Sequence, residues 1–282
     1  MASQDSSLAK EKSSDSTNAS SKKSSTKTVC IILGVCGIGA IFITGVLALA
    51  AIFIFSATRE YRNQMNDARL DSRSIMSEHN MTMIGIALEY QNDLDKSWPA
   101  SYSIDSDGNP LLSWRVHILP YIDQVELYEQ FHLNEPWDSP HNKTLLNKMP
   151  SIFRSPHSSA SLSHTNYLGN ATADGIFVRP KNKVTPGVRT DDITDGTGNT
   201  LLLLEVNDQH SVPWTRPDDF TAVGKSMQNW LRKTDLDTVH GLFADINVAV
   251  IDPTDIELLG AQLTRSGNES VEPAEELRAN QY

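Results

Sequence analysis

The chain has 282 residues, with 24 basic against 35 acidic groups and a formal charge of −11. Five of the basic and three of the acidic residues precede position 29, so the remainder carries 19 against 32. A surface of that sign repels phosphate, and binding to nucleic acid or anionic headgroups rests on clustered Lys and Arg, so nucleic acid is excluded as an expected partner.

Residues 1–28 are Ser, Lys, Thr, Asp and Asn with almost nothing to bury, and they are expected to be a disordered polar tail. Residues 28–58 then contain no Lys, Arg, Asp, Glu or His. At ~1.5 Å per residue, the apolar run 29–57 spans about 43 Å as a helix, against a hydrocarbon core of ~30 Å. That predicts one transmembrane helix. The run is longer than the ~7–15 apolar residues of a cleaved signal, and the alternative is cleavage near Ala48, Leu49 and Ala50. Both cysteines, Cys30 and Cys36, fall inside it, which removes internal disulfides, thiolate metal sites and Cys nucleophiles from everything that follows. Cys36, Ala40, Thr44 and Ala48 form a ridge of small residues through which two spans could associate. Lys10, Lys12, Lys22, Lys23 and Lys27 face Arg59, Arg62, Arg69 and Arg73 across the span. The short tail beside a large acidic domain favours tail-in, domain-out.

Past the span, Tyr61, Met65, Ala68, Ser72, Ile75, His79, Ile84, Ala87, Leu88 and Gln91 recur at steps near three and four, predicting that the helix continues. Gly85, among apolar neighbours, offers a place for another element to approach closely. Asp105, Asp107, Gly108, Asn109 and Pro110 read as a turn. An amphipathic segment 111–122, a helix 124–131 and a helix opening after Ser139 and Pro140 and running to Met149 follow. Strands are expected at 165–168, 175–178, 200–206 and 242–251. A last helix at 253–263 precedes a polar tail, 266–282.

Five blocks occur in order: IGIALEY from Ile84, LLSWRVHILPYIDQ from Leu111, HLNEPWDSPHN from His132, DDITDGTGNTLLLLE from Asp191 and ELLGAQLTRSGNE from Glu257. Together, over roughly 61–269, they resemble the large planctomycete-type family called domain of unknown function 1559. The resemblance implies a pilin-like plan, in which a hydrophobic helix continues into an amphipathic one packed on an antiparallel sheet, and it implies no established activity. This chain departs from the pattern: its apolar run has no acid and follows a long Ser/Lys tail, unlike the prepilin leader of many relatives. Ser77 and Ser155 stand where relatives often carry Cys, which implies a lost disulfide. The family's Ala-Asp-Gly hairpin corresponds either to Ala244, Asp245 and Ile246 or to a register placing Asp252 at that Asp. With Ile246 in place of Gly, a positive-φ turn is costly and the loop is expected to change shape.

Motifs for chemistry are incomplete. Asp105, Asp107 and Asn109 match the start of a calcium loop, but Pro110 and Val116 occupy its Gly and Glu positions. Asp191, Asp195 and Gly196 match in part, with Ile193 and Leu202 where ligands are needed. Gly224, Lys225 and Ser226 echo a phosphate loop whose first Gly is Asp219. His132, His141, His157 and His164 are scattered at no ligand spacing, and no GxSxG elbow is present.

The sequence therefore predicts an α+β, pilin-like fold in four parts: tail 1–28, transmembrane helix 29–57, extracytoplasmic domain 58–265 and tail 266–282. It predicts a single-pass protein of the cell membrane with a structural or interaction role in the envelope, protein partners or self-association, and no enzyme activity. No catalytic, cofactor-binding or metal residue is assigned. The alternative is a module binding a sugar, peptide or weakly held cation, with Trp98, Trp114, Trp137 and Trp214 as stacking surfaces. Burial of those rings separates the two readings.

Overall fold

The computed structural model describes residues 21–181, 187–231 and 239–267, with 21–41 as backbone only. The chain divides into two units, Met1–Asn66 and Asp67–Tyr282, and one helix, α1 (Ser21–Asp95), contributes to both.

In the first unit, α1 starts within the segment expected to be disordered. Extending a formed helix by a residue costs far less than nucleating one, so the Lys-rich stretch 21–28 follows the apolar run. From Phe42 on, the helix is long and apolar enough to cross a membrane, and none of its apolar window is buried. Residues 1–20, and the side chains of Cys30, Cys36 and Ala40, lie outside the described residues, as does most of the C-terminal tail.

In the second unit, α1 buries Ser77, Asn80, Met81, Ile84, Ala87 and Leu88, the a/d-like spacing of a helix seated on a core. The expected stripe started on a different face. Tyr61, Met65 and Ile75 are exposed, Ile75 by 66%. The step of five from His79 to Ile84 carries that series across the helix, since Ile75 stands about 200° from Ser77.

After α1, β1 (Tyr102–Ile104) and β2 (Pro110–Ser113) form an antiparallel hairpin, with Gly108 at φ 87° in its turn. The expected amphipathic segment 111–122 is instead the end of β2, one helical turn α2 (Trp114–His117) and a 3-10 turn Leu119–Ile122 with Pro120 in its first positions. The helices expected at 124–131 and before Met149 shrink to α3 (Val125–Tyr128) and a 3-10 helix, Asn142–Lys148. Short strands β3 (His164–Thr165) and β6 (Val212–Pro213) pair separately from the main sheet.

That sheet is antiparallel, ordered β4 (Tyr167–Gly169), β5 (Leu201–Glu205), β7 (Val239–Phe243), β8 (Val248–Ile251). Both of its faces are covered, so β5 and β7 are buried at every position and read in sequence as continuous rather than alternating apolar runs. Leu202, Leu203 and Leu242 belong to the core shared with Met81, Ile84 and Leu88 of α1. Leu201, Leu204, Val239 and Phe243 belong to a second core with α4 (Met227–Leu231) and α5 (Ile256–Gln262). Gly85 makes the close approach on the α1 side: a Cβ there would lie 3.0 Å from both Ile246 Cγ2 and Leu242 Cδ2. The expected strand at 175–178 is absent; Ile176 and Phe177 are buried in bends, with Phe177 N donating to Asn170 O. Ile246 takes φ 66° in the β7–β8 turn, so this turn has a positive-φ position held by a β-branched residue.

Candidate functional site

One row of the sheet facing α1 is polar. Tyr167 is the cross-strand partner of Glu205, and His240 lies one step beyond the Leu204–Gly241 pair, so the three side chains line up across β4, β5 and β7. Above them α1 presents Ser74 and Ser77, three residues apart and hence on one helical face. The segment after the 3-10 turn Ser151–Phe153 supplies Ser155 and His157, held by Asp208, which accepts from Ser158 Oγ at 2.7 Å and Ser159 N at 2.8 Å.

Glu205 is wholly buried and accepts three donors. Ser77 Oγ donates to Oε2 at 2.8 Å, His240 Nδ1 donates to Oε2 at 2.9 Å, and Ser155 Oγ donates to Oε1. A carboxylate is acceptor-only, so His240 Nδ1 carries a hydrogen, and its Nε2 meets Ser74 Oγ at 2.8 Å. Because Ser77 gives its proton to Glu205, it accepts in turn from the Tyr167 hydroxyl at 3.0 Å. Burial and the Glu205 charge push the Tyr167 phenol far up, which keeps that donor protonated. The His157 ring stands 6.2 Å from the His240 ring and nearly parallel to it. Ligand atoms of His157, Glu205 and His240 all fall within 4.8 Å of one another.

Ser74 and His240 open onto a cavity of about 750 Å³ that is also lined by Glu78, Asp252 and Asp255. Hydrogen bonds from the Thr254 side chain and backbone hold the Asp252 carboxyl below its usual range.

A second buried polar centre is an ion pair. Arg115 Nη2 meets Asp219 Oδ1 at 2.7 Å with both side chains out of solvent. Arg115 also donates to Tyr167 O, Ser113 Oγ and Asp218 O, and Asp219 Oδ1 also accepts from Trp114 Nε1 and Gly169 N. Burial pushes the Asp219 carboxyl up against the pull of Arg115. Asp219 is thus spoken for by Arg115 and has no part in a phosphate loop, while Gly224, Lys225 and Ser226 form a 3-10 turn.

The other motifs fold back on themselves. Asp105 Oδ1 accepts from the backbone N of Asp107 and Asn109, and Oδ2 from Asn109 Nδ2, at 2.8–2.9 Å. Asp191 pairs with Arg189 on the surface, and Asp195 accepts from Thr264 Oγ1 and Gly267 N. His132 and His141 stack at 3.6 Å on the surface, with His132 Nδ1 on Glu135 Oε1 at 2.9 Å. Trp98, Trp114 and Trp214 are buried in the core, and Trp137 is half-buried against it.

A family model matches residues 66–172 and 155–275, the stretch that supplies every residue of the Glu205 cluster. The chain belongs to the family described as protein of unknown function (DUF1559). No curated protein and no solved structure matches it. In this DUF1559 chain the two serines at the positions where the resemblance implies cysteines are the two hydroxyls that hold the Glu205 carboxylate. The resemblance marked them only as positions of a lost disulfide, and His157 reads in sequence as a scattered histidine. Glu205 and His240 were missed. Their signal was an acid closing the run Leu201–Glu205 and a His inside Val239–Phe243, polar groups in strands buried throughout, which require partners.

Proposed function

We propose that this DUF1559 chain is a single-pass membrane protein whose Asp67–Tyr282 unit lies outside the cytoplasmic membrane and serves the cell envelope as a structural or interaction domain, without nucleic-acid partners and without enzymatic turnover. The observation carrying this reading is the burial of Trp98, Trp114 and Trp214, each at most 2% exposed. Rings packed inside the core stabilise the domain and are not available to stack on a ligand. A hydrophobic helix continuing into one that covers an antiparallel sheet also accords with the pilin-like plan.

Charge in the cavity opposes turnover. Ser74, His240 and Glu205 follow the order of a hydrolytic triad, but Ser74 sits in mid-helix, where its N–H belongs to the helical ladder. The cavity it faces is lined by Glu78, Asp252 and Asp255. Those carboxylates oppose the oxyanion that acyl transfer must stabilise. Orientation follows from Lys22, Lys23 and Lys27 before the apolar run and the acidic unit after it.

Protease added to spheroplasts is expected to digest the Asp67–Tyr282 unit while an epitope at the N-terminus survives. Survival of the unit with loss of the epitope would overturn the topology. Affinity capture of the intact anchored chain from membranes then tests the interaction role.

A further inference from the structure

The cluster of His157, Glu205 and His240 has the donor chemistry, burial and access of a metal centre. We propose that these three side chains bind one divalent cation of the zinc class.

Two imidazoles and one carboxylate are the ligands of a borderline metal, and three protein ligands leave a fourth position for water. With bonds of ~2.0–2.1 Å, two ligands of a tetrahedral ion stand about 3.3 Å apart. Glu205 Oε2 and His240 Nδ1, at 2.9 Å, are a few tenths of an ångström from that spacing. One ligand atom each from His157, Glu205 and His240 lies within 4.8 Å of the other two, and binding draws the His157 ring in to the tetrahedral spacing.

For a ring with its one hydrogen on Nδ1, binding is a tautomer shift with no net proton released: the cation takes the Nδ1 position, the hydrogen is carried on Nε2, and Nε2 donates it to Ser74 Oγ across the 2.8 Å contact. Metal-bound imidazoles ordinarily donate their other N–H to such a partner, and metal-bound carboxylates are themselves hydrogen-bonded. Ser155 on Oε1 fills the second role, so the outer shell is built. Access is provided by the cavity that His240 and Ser74 line, and its Glu78, Asp252 and Asp255 draw cations toward it. The charge that argues against an oxyanion argues for a metal ion.

The test uses the full-length chain in detergent, without a polyhistidine tag, dialysed against zinc, with metal measured by mass spectrometry and affinity by competition with a chelator. One zinc per chain is expected, together with a rise in melting temperature on zinc addition. His157→Ala and His240→Ala should each weaken binding roughly tenfold or more, and Ser74→Ala, a positioning residue, about tenfold. His132→Ala, in the exposed His132–His141 stack, should change nothing. If His240→Ala fails to fold, His157→Ala still decides, because the hydrogen bonds among Glu205, His240 and the serines do not run through its ring. Absence of stoichiometric zinc, retention of wild-type affinity in His157→Ala, or loss in His132→Ala would each overturn the proposal.

Discussion

On one face of the four-stranded sheet, Leu201, Leu204, Val239 and Phe243 pack with Met227 and Leu231 of α4 and Leu259 of α5. On the other, Leu203 and Leu242 pack under α1 beside the polar row of Tyr167, Glu205 and His240. On the first face the polar link to the helices comes from flanking residues, with Asn170 Nδ2 donating to both Leu201 O and Leu263 O. On the second face the polar row belongs to the strands themselves. Hydrocarbon contacts are non-directional and survive small shifts, whereas a buried carboxylate with three donors is stable only in the arrangement that satisfies all of them. The α1 face is thus the less forgiving of the two.

The largest effect should come from removing the α1 layer. A chain starting at Asn92 lacks Met81, Ile84, Ala87 and Leu88, all at most 1% exposed. Each large apolar side chain among them contributes roughly 1.5–3 kcal/mol, out of a total margin of ~5–15 kcal/mol. No cooperative melt is expected from that chain, while one starting at Asp67 should keep it. Equal melting temperatures for the two would show that the helix is a spacer and that the sheet has only one essential face.

Neighbouring residues on β5 compare the faces directly. Leu204→Ala removes hydrocarbon from the α4/α5 side and should cost about 2–5 kcal/mol through the cavity it leaves. Glu205→Leu keeps the volume but leaves Ser77, Ser155 and His240 without their acceptor, at about 1–3 kcal/mol each for buried groups. Denaturant titrations should find Glu205→Leu at least as damaging as Leu204→Ala. A mild Glu205→Leu would mean that the row is dispensable for stability.

Acid gives a smaller and directional test. His117, between Val116 and Ile118 of the α1-side core, has its imidazole pushed down to about 4 by burial. The unfolded chain takes up that proton near the usual 6.5, so below that pH it binds more protons than the folded chain. The stability is fully present above pH 6.5 and is lost as pH falls toward 4. His210, also lowered by burial, acts in the same sense. His117→Asn should flatten the decline in melting temperature between pH 7 and pH 5, and an unchanged slope would assign the acid sensitivity elsewhere.

The sequence carried the architecture where its patterns were local. The apolar run, the Asp105–Asn109 turn and the strand 200–206 are legible from composition and turn chemistry, and the family blocks supplied the order. Two kinds of information were not local. Which face of α1 is buried depends on the sheet beneath it, so a series of threes and fours that slips by five between His79 and Ile84 drew Tyr61 and Ile75 into a stripe that the structure exposes. The Glu205 cluster draws on five chain segments, and no spacing within one segment announces it. His157 looked like a scattered loop histidine because its partners lie 48 and 83 positions away. The helix expected at 124–131 is present but short, Val125–Tyr128, and the one expected before Met149, with Pro140, Asn142, Thr144 and Asn147 in its run, takes 3-10 form.

The finest contrast between the faces lies where α1 touches the β7–β8 turn. Ile246 holds φ 66°, a conformation costing an L-residue roughly 1–2 kcal/mol, and substitution by Gly would ordinarily recover that. Here the side chain is also packed, its Cγ2 3.0 Å from where a Cβ on Gly85 would stand. Losing a half-buried Ile costs about 1 kcal/mol or a little more, and Gly adds ~0.5–1 kcal/mol of backbone entropy. The gain and the losses nearly cancel, so Ile246→Gly should fall within about 1 kcal/mol of the parent. Gly85→Ala gains up to ~1 kcal/mol of helix propensity but forces a methyl against Ile246 and Leu242, and overpacking of this kind costs ~1–3 kcal/mol. Alone it should destabilise. In the Ile246→Gly background one of the two obstacles is gone, and a double-mutant cycle should return a favourable coupling of at least ~0.5 kcal/mol. Additive behaviour would mean that the helix and the turn are not in contact at Gly85, and that the close approach of α1 to the sheet rests on the polar row alone.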